Sequence, residues 1–169
     1  KSLGYDYGEF GLHATEIFIN EYEKNYKKYS RILPISAIHL SQINFMKEEI
    51  ENIKIFILKC LEIRCFNFIF HFFTKELMPG NEIPKERIGG LKELASFAKK
   101  HKINLILENT ISVSVKNLKK IFSGVKGIYF CLDTGHANLT QDKNLPINFL
   151  DAFGEKIKHI HAHDNLGGF

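Results

Sequence analysis

Five short segments of the chain contain closely spaced apolar residues, and polar stretches separate them. They are PISAIHL (34–40), FNFIFHF (66–72), INLILEN (103–109), GIYFCLD (127–133) and IKHIHAHD (157–164). Apolar residues at successive positions leave no side of a strand for solvent, which is typical of a parallel sheet covered by helices. The pattern therefore predicts five buried strands, with a sixth ahead of them over residues 14–20, ATEIFIN.

The stretches between these strands repeat their apolar residues at spacings of three and four, which is the period of one helix face. The clearest repeats run through residues 47–63 and 84–102, and shorter ones through residues 112–124 and 144–154. Strands that alternate with helices indicate a parallel α/β sheet, either open or closed into a barrel. No glycine-rich phosphate loop follows any of the strands, which argues against the nucleotide-binding open sheets. The barrel is preferred.

Composition narrows the class of protein. The chain has 169 residues, 44% of them hydrophobic, which fits a single soluble domain. Its formal net charge of +4 comes from lysine-rich helical segments, a pattern more typical of a solvated face than of a nucleic-acid site. Three cysteines without CxxC spacing indicate reduced core residues of a cytoplasmic protein. No apolar run is long enough to span a membrane, and no signal peptide is recognisable.

Side chains suited to metal binding stand at the carboxyl end of each of the five strands. In a βα barrel these ends share one face, where the loops build the active site. Histidines and carboxylates together suit Zn²⁺, Mn²⁺ or a similar divalent ion. The set is His39, His71, Glu108, Asp133 with His136, and His161 with His163 and Asp164.

Each of these residues also has a purely structural interpretation. His39 could hydrogen-bond a loop carbonyl, His71 could be a satisfied core histidine, and His136 could cap the next helix. Glu108 and Asp133 are harder to explain in this way, because a carboxylate that follows an apolar strand is costly to bury without a cation. The shared position at the strand ends favours a site over a set of separate explanations.

The motifs LEN (107–109), LDTGHA (132–137) and HIHAHDN (159–165) resemble those of the xylose-isomerase-like TIM barrels. This superfamily includes sugar phosphate isomerases and epimerases and the endonuclease IV-like nucleases of AP endonuclease family 2. IHL (38–40) and IFHF (69–72) add weaker support. The resemblance implies a (β/α)8 TIM barrel, here a partial one that covers about strands 2 to 7.

The resemblance also implies roles for individual residues. Glu108, Asp133 and His161 match the shared metal ligands, and His136 matches a histidine that binds substrate in epimerases and zinc in nucleases. His39 and His71 match histidines that hold a further zinc in the nucleases, and His71 is also a candidate substrate contact. Glu16 matches a supporting glutamate of the second strand. Lys75, in the long segment after FNFIFHF, is a further candidate contact for a phosphate or sugar oxygen.

The sequence departs from the family at its ends. A closed barrel of this kind takes about 250 residues. The glutamate that the family carries on its last strand, a metal ligand and a catalytic base in epimerases, is absent from this sequence. We therefore expect residues 1–169 to be one domain, truncated at both ends, of a longer protein.

Three functions follow as hypotheses. The first is a sugar or sugar-phosphate isomerase or epimerase that uses one divalent ion, Mn²⁺, Zn²⁺, Mg²⁺ or Co²⁺. There, Glu108 would move a proton through a metal-bound enediolate and His136 would steady a substrate oxygen. The second is a zinc phosphodiesterase that acts on abasic DNA, the one hypothesis with a nucleic-acid partner. The third is a metal-binding barrel without catalysis. The expected partner is a carbohydrate, and a homo-oligomer is left open.

Overall fold

Six parallel strands form one sheet, in which they lie in the order of the chain. The computed structural model describes residues 4–12, 25, 27–72, 74–111, 113–139, 144–163 and 165. The strands are β1 (Gly8–Leu12), β2 (Ile35–Ile43), β3 (Asn67–Phe72), β4 (Asn104–Glu108), β5 (Ile128–Asp133) and β6 (Ile157–His161). The sheet curls until side chains of its two edge strands meet, with Glu9 of β1 2.9 Å from His159 of β6. The fold is α/β, a half-barrel that confirms the predicted partial TIM barrel.

Helices connect the strands. They are α1 (Lys27–Ile32), α2 (Lys47–Glu62), α3 (Thr74–Leu77), α4 (Lys85–Lys100), α5 (Val115–Gly124), α6 (Thr134–Asn138) and α7 (Leu145–Phe153), and a 3-10 turn at Gly154–Lys156 precedes β6. The two longest helices, α2 and α4, coincide with the two longest predicted repeats. Within the described residues, no helix is both long and apolar enough to cross a membrane.

The five apolar segments are strands, and their predicted starts agree with the structure to within one residue. β2 continues to Ile43, beyond the predicted end at residue 40, and β6 ends at His161, short of residue 164. The prediction that all five strands are buried is wrong for β6, an edge strand in which no residue is buried. The strand predicted over residues 14–20 lies outside the described residues. The strand beside β2 that the structure describes is β1, GEFGL, which the sequence pattern did not predict. Two glycines and a glutamate among five residues do not make an apolar run.

Two layers of apolar side chains cover the two faces of the sheet. The outer layer is the main core, in which α2 buries Ile50, Ile53, Phe56, Ile57 and Cys60 against the strands. The inner layer is a small cluster on the concave face. It consists of Ala37, Ile69, Ile106 and Cys131. All three cysteines are buried and unpaired, as predicted for reduced core residues.

The inner layer determines where the strand-end side chains point. Side chains alternate between the two faces of a strand, so the residue two positions after an inner-layer residue is again on the concave face. Ala37, Ile69, Ile106 and Cys131 are followed at that spacing by His39, His71, Glu108 and Asp133. The concave face is thus apolar in its middle and lined with histidines and carboxylates at the carboxyl end.

Candidate metal centre

Glu108 lies at the centre of this polar rim. It is the last residue of β4, and its side chain is 0% exposed. A buried carboxylate is costly unless donors or a cation compensate for its lost hydration. Four histidines surround it, each with a nitrogen within 3.4 Å of one of its oxygens. They are His39 on β2, His71 on β3, His136 on α6 and His161 on β6. The predicted convergence of the strand ends is therefore present in the structure.

One oxygen of Glu108 and two histidines form a first group of candidate ligand atoms. Nε2 of His39 lies 2.8 Å and Nε2 of His71 lies 3.0 Å from Oε2 of Glu108, and the two nitrogens are 3.0 Å apart. In a tetrahedral zinc site with bonds of about 2.0–2.1 Å, neighbouring ligand atoms are about 3.3–3.4 Å apart. A small outward movement of the three side chains would make room for an ion. Two imidazoles and a carboxylate suit Zn²⁺.

The other oxygen of Glu108 belongs to a second group. Oε1 lies 3.0 Å from Nδ1 of His161 and 3.4 Å from Nδ1 of His136. Oδ2 of Asp133 lies 3.6 Å and 3.4 Å from the same two nitrogens. Glu108 Oε1 is buried, and among the described residues no hydrogen bond of good geometry reaches it, although the nitrogens of His161 and His136 lie nearby. Such an oxygen is destabilising by about 1–3 kcal/mol or more, and a cation between Glu108, Asp133 and His161 would compensate it. The donor set therefore fits a divalent ion.

The end of β5 explains why Asp133 and His136 are three residues apart. Asp133 is the N-cap of α6, and its Oδ1 accepts a hydrogen bond of 2.6 Å from the backbone N–H of His136. A capping aspartate starts a helix directly after the strand, so His136 falls within the first turn, beside the cluster. Nε2 of His163 lies 2.8 Å from the same Oδ1. Local contacts thus occupy one oxygen of Asp133, and the other lies near His136 and His161.

Asn109 aligns the ends of β4 and β5. Its side-chain amide donates to the carbonyl of Asp133 at 2.9 Å and accepts from the N–H of Asp133 at 2.8 Å. Nδ1 of His136 also lies 3.1 Å from the Asn109 carbonyl oxygen. The asparagine therefore replaces one rung of the sheet between two candidate ligands. Asn109 is part of the LEN motif, but nothing in the sequence indicated that it aligns the two strands.

Glu9 is a site residue that the sequence analysis missed. It lies on β1, and its carboxylate is 2.9 Å from Nε2 of His159 and 3.0 Å from Nε2 of His161. Nδ1 of His39 lies 3.4 Å from Oε1, the oxygen that also contacts His161. No strand was predicted at residues 8–12, so nothing in the sequence placed this glutamate on the concave face.

The charges of the cluster support one another. Burial by itself raises the pKa of Glu108, but its contacts with His136, His161, His39 and His71 outweigh burial and hold the pKa well below its usual range. Burial lowers the pKa of His39, yet its contacts with Glu108 and Glu9 raise it from 6.5 to about 9.

His161 and His136 behave in the same way. Burial lowers the pKa of His161, but Asp133, Cys131, Glu108 and Glu9 raise it further than burial lowers it. The pKa of His136 is raised chiefly by its contact with Glu108. Without a metal, the contacts with the ionised carboxylates therefore favour the protonated forms of His39, His136 and His161, and a divalent ion would take the place of those protons.

The predicted site residues fall into three sets. The structure brings together Glu108, Asp133, His161, His39, His71 and His136. Lys75 lies on α3, after β3, and is exposed. Glu16 and Asp164 lie outside the described residues. Cys131 stands beneath the cluster, its Sγ within 4.8 Å of ligand atoms of Glu108 and His161.

The family described as xylose isomerase-like TIM barrel matches residues 1–168. The chain belongs to this family, whose members bind divalent metals and are mostly enzymes. A comparison with curated proteins gives no match.

Solved structures share the fold. A xylose isomerase domain protein from Planctomyces limnophilus is 14% identical with a TM-score of 0.74, over 94% of this chain and 64% of that one. An L-ribulose 3-epimerase is 14% identical with a TM-score of 0.68, over 94% of this chain and 60% of that one. An AP endonuclease of family 2 from Brucella melitensis is 12% identical with a TM-score of 0.66, over 94% and 69%. This chain thus spans less than two thirds of the length of the first two.

Proposed function

We propose that the protein transfers a proton on a sugar or sugar phosphate, as a divalent-metal-dependent isomerase or epimerase. One observation carries the proposal: the buried Oε1 of Glu108 receives no hydrogen bond of good geometry among the described residues, and Asp133 and His161 lie beside it. This arrangement supports a single ion at the carboxyl end of the strands. The similarity in fold to an L-ribulose 3-epimerase is consistent with it.

Glu108, Asp133 and His161 would hold the ion. A divalent ion in this position supplies Lewis-acid chemistry, which polarises a carbonyl and makes the neighbouring C–H more acidic. The inner layer, which includes Ile69 and Ile106, forms an apolar floor below these ligands. Because an apolar floor excludes water on that side, charges at the ligands act more strongly on a substrate than they would in solution.

His136 and His71 are the proposed contacts to substrate. Their side chains are 26% and 18% exposed, so each reaches from the buried carboxylate to the open mouth. His136 is additionally fixed by the first turn of α6 and by the carbonyl of Asn109. It is therefore suited to orient a substrate oxygen and to exchange a proton with it. Lys75, exposed on α3, would meet a phosphate group if the substrate carries one.

Glu108 is better suited to hold the ion than to accept the proton. Two histidines contact its Oε2, and together with His136 and His161 they keep its pKa below the usual range. A carboxylate with a lowered pKa is a weak base, and a bound cation would lower the pKa further. We therefore propose Glu108 as a ligand in the first place, and His136 as the proton-exchanging side chain.

A second candidate function is hydrolysis of a phosphodiester in abasic DNA, and the first ligand group favours it. His39, His71 and Glu108 Oε2 could hold one ion while Oε1 contacts another, and paired ions suit phosphodiester hydrolysis. The positions of the three arginines argue against this function. Arg31 lies in the last turn of α1, Arg64 follows α2, and Arg87 forms an ion pair with Glu76 at 2.9 Å. Proteins that grip DNA usually direct such side chains at phosphates.

Elemental analysis of the purified full-length protein tests the proposal first. We expect one exchangeable divalent ion per chain, and turnover of a member of a panel of sugars and sugar phosphates. Asp133→Asn should lose the ion, whereas Asp151→Asn, on the exposed side of α7, should keep it. Two or three zinc ions, with nicking of abasic DNA, would replace the first candidate by the second. A bound ion without turnover would indicate a metal-binding barrel, and the absence of any ion would contradict all three.

A further inference from the structure

Four side chains at the mouth form a closed ring in which carboxylates and imidazoles alternate. On one side of the ring, His39 lies between the two carboxylates. Its Nε2 is 2.8 Å from Oε2 of Glu108, and its Nδ1 is 3.4 Å from Oε1 of Glu9. On the other side, His161 lies between the same carboxylates. Its Nε2 is 3.0 Å from Oε1 of Glu9, and its Nδ1 is 3.0 Å from Oε1 of Glu108. Glu9 thus lies opposite Glu108, on the far side of both rings.

We propose that Glu9 is a positioning residue, which holds the His161 ring so that Nδ1 is the nitrogen presented to the metal centre. The inference rests on the proposed metal-dependent function and extends it to a residue of the edge strand β1. Glu9 itself would not contact the ion.

The tautomer of His161 supports this assignment. A neutral imidazole has one N–H and one lone pair, on different nitrogens. The Nε2 of His161 lies 3.0 Å from Glu9, so an N–H there donates to a carboxylate, and the lone pair is then on Nδ1. Nδ1 is the nitrogen beside Glu108 and Asp133. Metal-bound histidines generally donate their second nitrogen to such an outer carboxylate, which fixes the ring and strengthens it as a ligand.

His159 restrains Glu9 from a further side. Its Nε2 lies 2.9 Å from Oε2 of Glu9, while Oε1 contacts His161 and His39. Histidine rings therefore occupy both oxygens, and three rings restrain the carboxylate in one orientation. His159 and His161 are on β6 and Glu9 is on β1, so this contact also joins the two edges of the sheet. The same side chain thus contacts both the opposite edge of the sheet and a candidate ligand.

Zinc affinity of the Glu9→Gln variant is the first test. Removal of an outer-shell partner typically weakens metal binding by about 10–100-fold, so we expect Glu9→Gln to bind Zn²⁺ that much more weakly in competition with a chelator. Glu155→Gln, at an exposed carboxylate of the 3-10 turn, should bind Zn²⁺ as the wild type does. A folded Glu9→Gln protein with wild-type affinity would overturn the inference and leave the proposed function intact. A wild-type protein that binds no divalent ion would overturn both.

A second measurement needs no variant, which matters because Glu9 joins the sheet edges and its replacement could prevent folding. Two-bond ¹H–¹⁵N NMR spectra of the histidine rings report which nitrogen carries the proton. In the zinc-loaded wild-type protein we expect His161 to be protonated at Nε2 and metal-bound at Nδ1. A proton at Nδ1, or zinc at Nε2, would overturn the inference. A solely structural role for Glu9 would not require either tautomer.

Discussion

Asn109 and Asp133 exchange two hydrogen bonds across the ends of β4 and β5, side chain to backbone, at 2.9 and 2.8 Å. The residue before Asn109 is Glu108, and Asp133 is itself a candidate ligand. The amide therefore sets the separation of the two carboxylates that would share an ion. Both residues are buried, Asn109 completely, so water cannot easily replace these bonds.

Asn109→Ala should destabilise the protein and weaken its metal binding together. The change leaves the N–H and the carbonyl of Asp133 without these partners, at about 1–3 kcal/mol for each buried group. We expect a loss of about 2–4 kcal/mol in urea unfolding of the metal-free protein, and reduced zinc affinity in the folded fraction. Asn52→Ala, on the partly exposed side of α2, should lose less than 1 kcal/mol. Equal losses in the two variants would contradict the role of Asn109.

His71→Ala distinguishes one metal position from two. If the ion is held by Glu108, Asp133 and His161, this variant keeps its metal stoichiometry, whereas Glu108→Gln binds no ion. We expect this result, measured by elemental analysis after dialysis against zinc. The control is His101→Ala, which changes a histidine after α4, away from the cluster. Loss of one of two zinc ions from His71→Ala would instead show that the first ligand group is occupied, and would favour the phosphodiesterase.

Stability of the metal-free protein should fall as the pH rises above neutrality. The pKa of His39 is raised from 6.5 to about 9, and those of His136 and His161 are also raised. Protonated rings bind the carboxylates more tightly in the folded than in the unfolded state. The contribution of these rings is complete below about pH 6.5 and falls as the pH rises above it. That of His39 is lost by about pH 9 and amounts to about 3 kcal/mol at 1.36 kcal/mol per pKa unit.

The carboxylates affect the stability of the metal-free protein in the opposite direction, at low pH. The pKa values of Glu108 and Glu9 are lowered, so their contribution is present above about 4.5 and is lost as the pH falls below it. Urea midpoints of chelator-treated protein should therefore be highest between about pH 4.5 and 6.5. Zinc-loaded protein should behave differently, because ligands must lose their protons and zinc affinity rises with pH. A metal-free protein equally stable at pH 6 and pH 9 would contradict the contacts described.

Gly89→Ala and Gly90→Ala should have opposite effects, although the residues are adjacent in α4. A Cβ at Gly90 would lie 2.3 Å from the backbone oxygen of Phe45 and 2.6 Å from Ile50 Cδ1, so helix and loop must separate. We expect a loss of about 1–3 kcal/mol. A Cβ at Gly89 meets no described atom within 4 Å, and alanine there should stabilise by up to about 1 kcal/mol. Thermal unfolding of both variants measures the difference, and effects of the same sign would contradict the packing.

The sequence by itself determined the parallel α/β fold and most of the rim. The apolar runs that end in Glu108 and Asp133 are buried on both faces, and a strand of that kind can be recognised locally. Its period of two then places the last polar residue on the concave face. For this reason the convergence of Glu108, Asp133 and His161 could be predicted without coordinates.

Only the tertiary structure decided the place of Glu9 and the role of Asn109. GEFGL lacks a continuous apolar run, and it becomes a strand because β2 offers it a free edge. Glu9 then meets His161, 152 positions away in sequence, because the sheet curls. The local sequence pattern indicates which residues are buried and whether a segment is a strand or a helix. The contact between the two edge strands depends instead on the curvature of the whole six-stranded sheet. The candidate ligands could be predicted from the sequence, whereas Glu9 and Asn109, which contact them, could not.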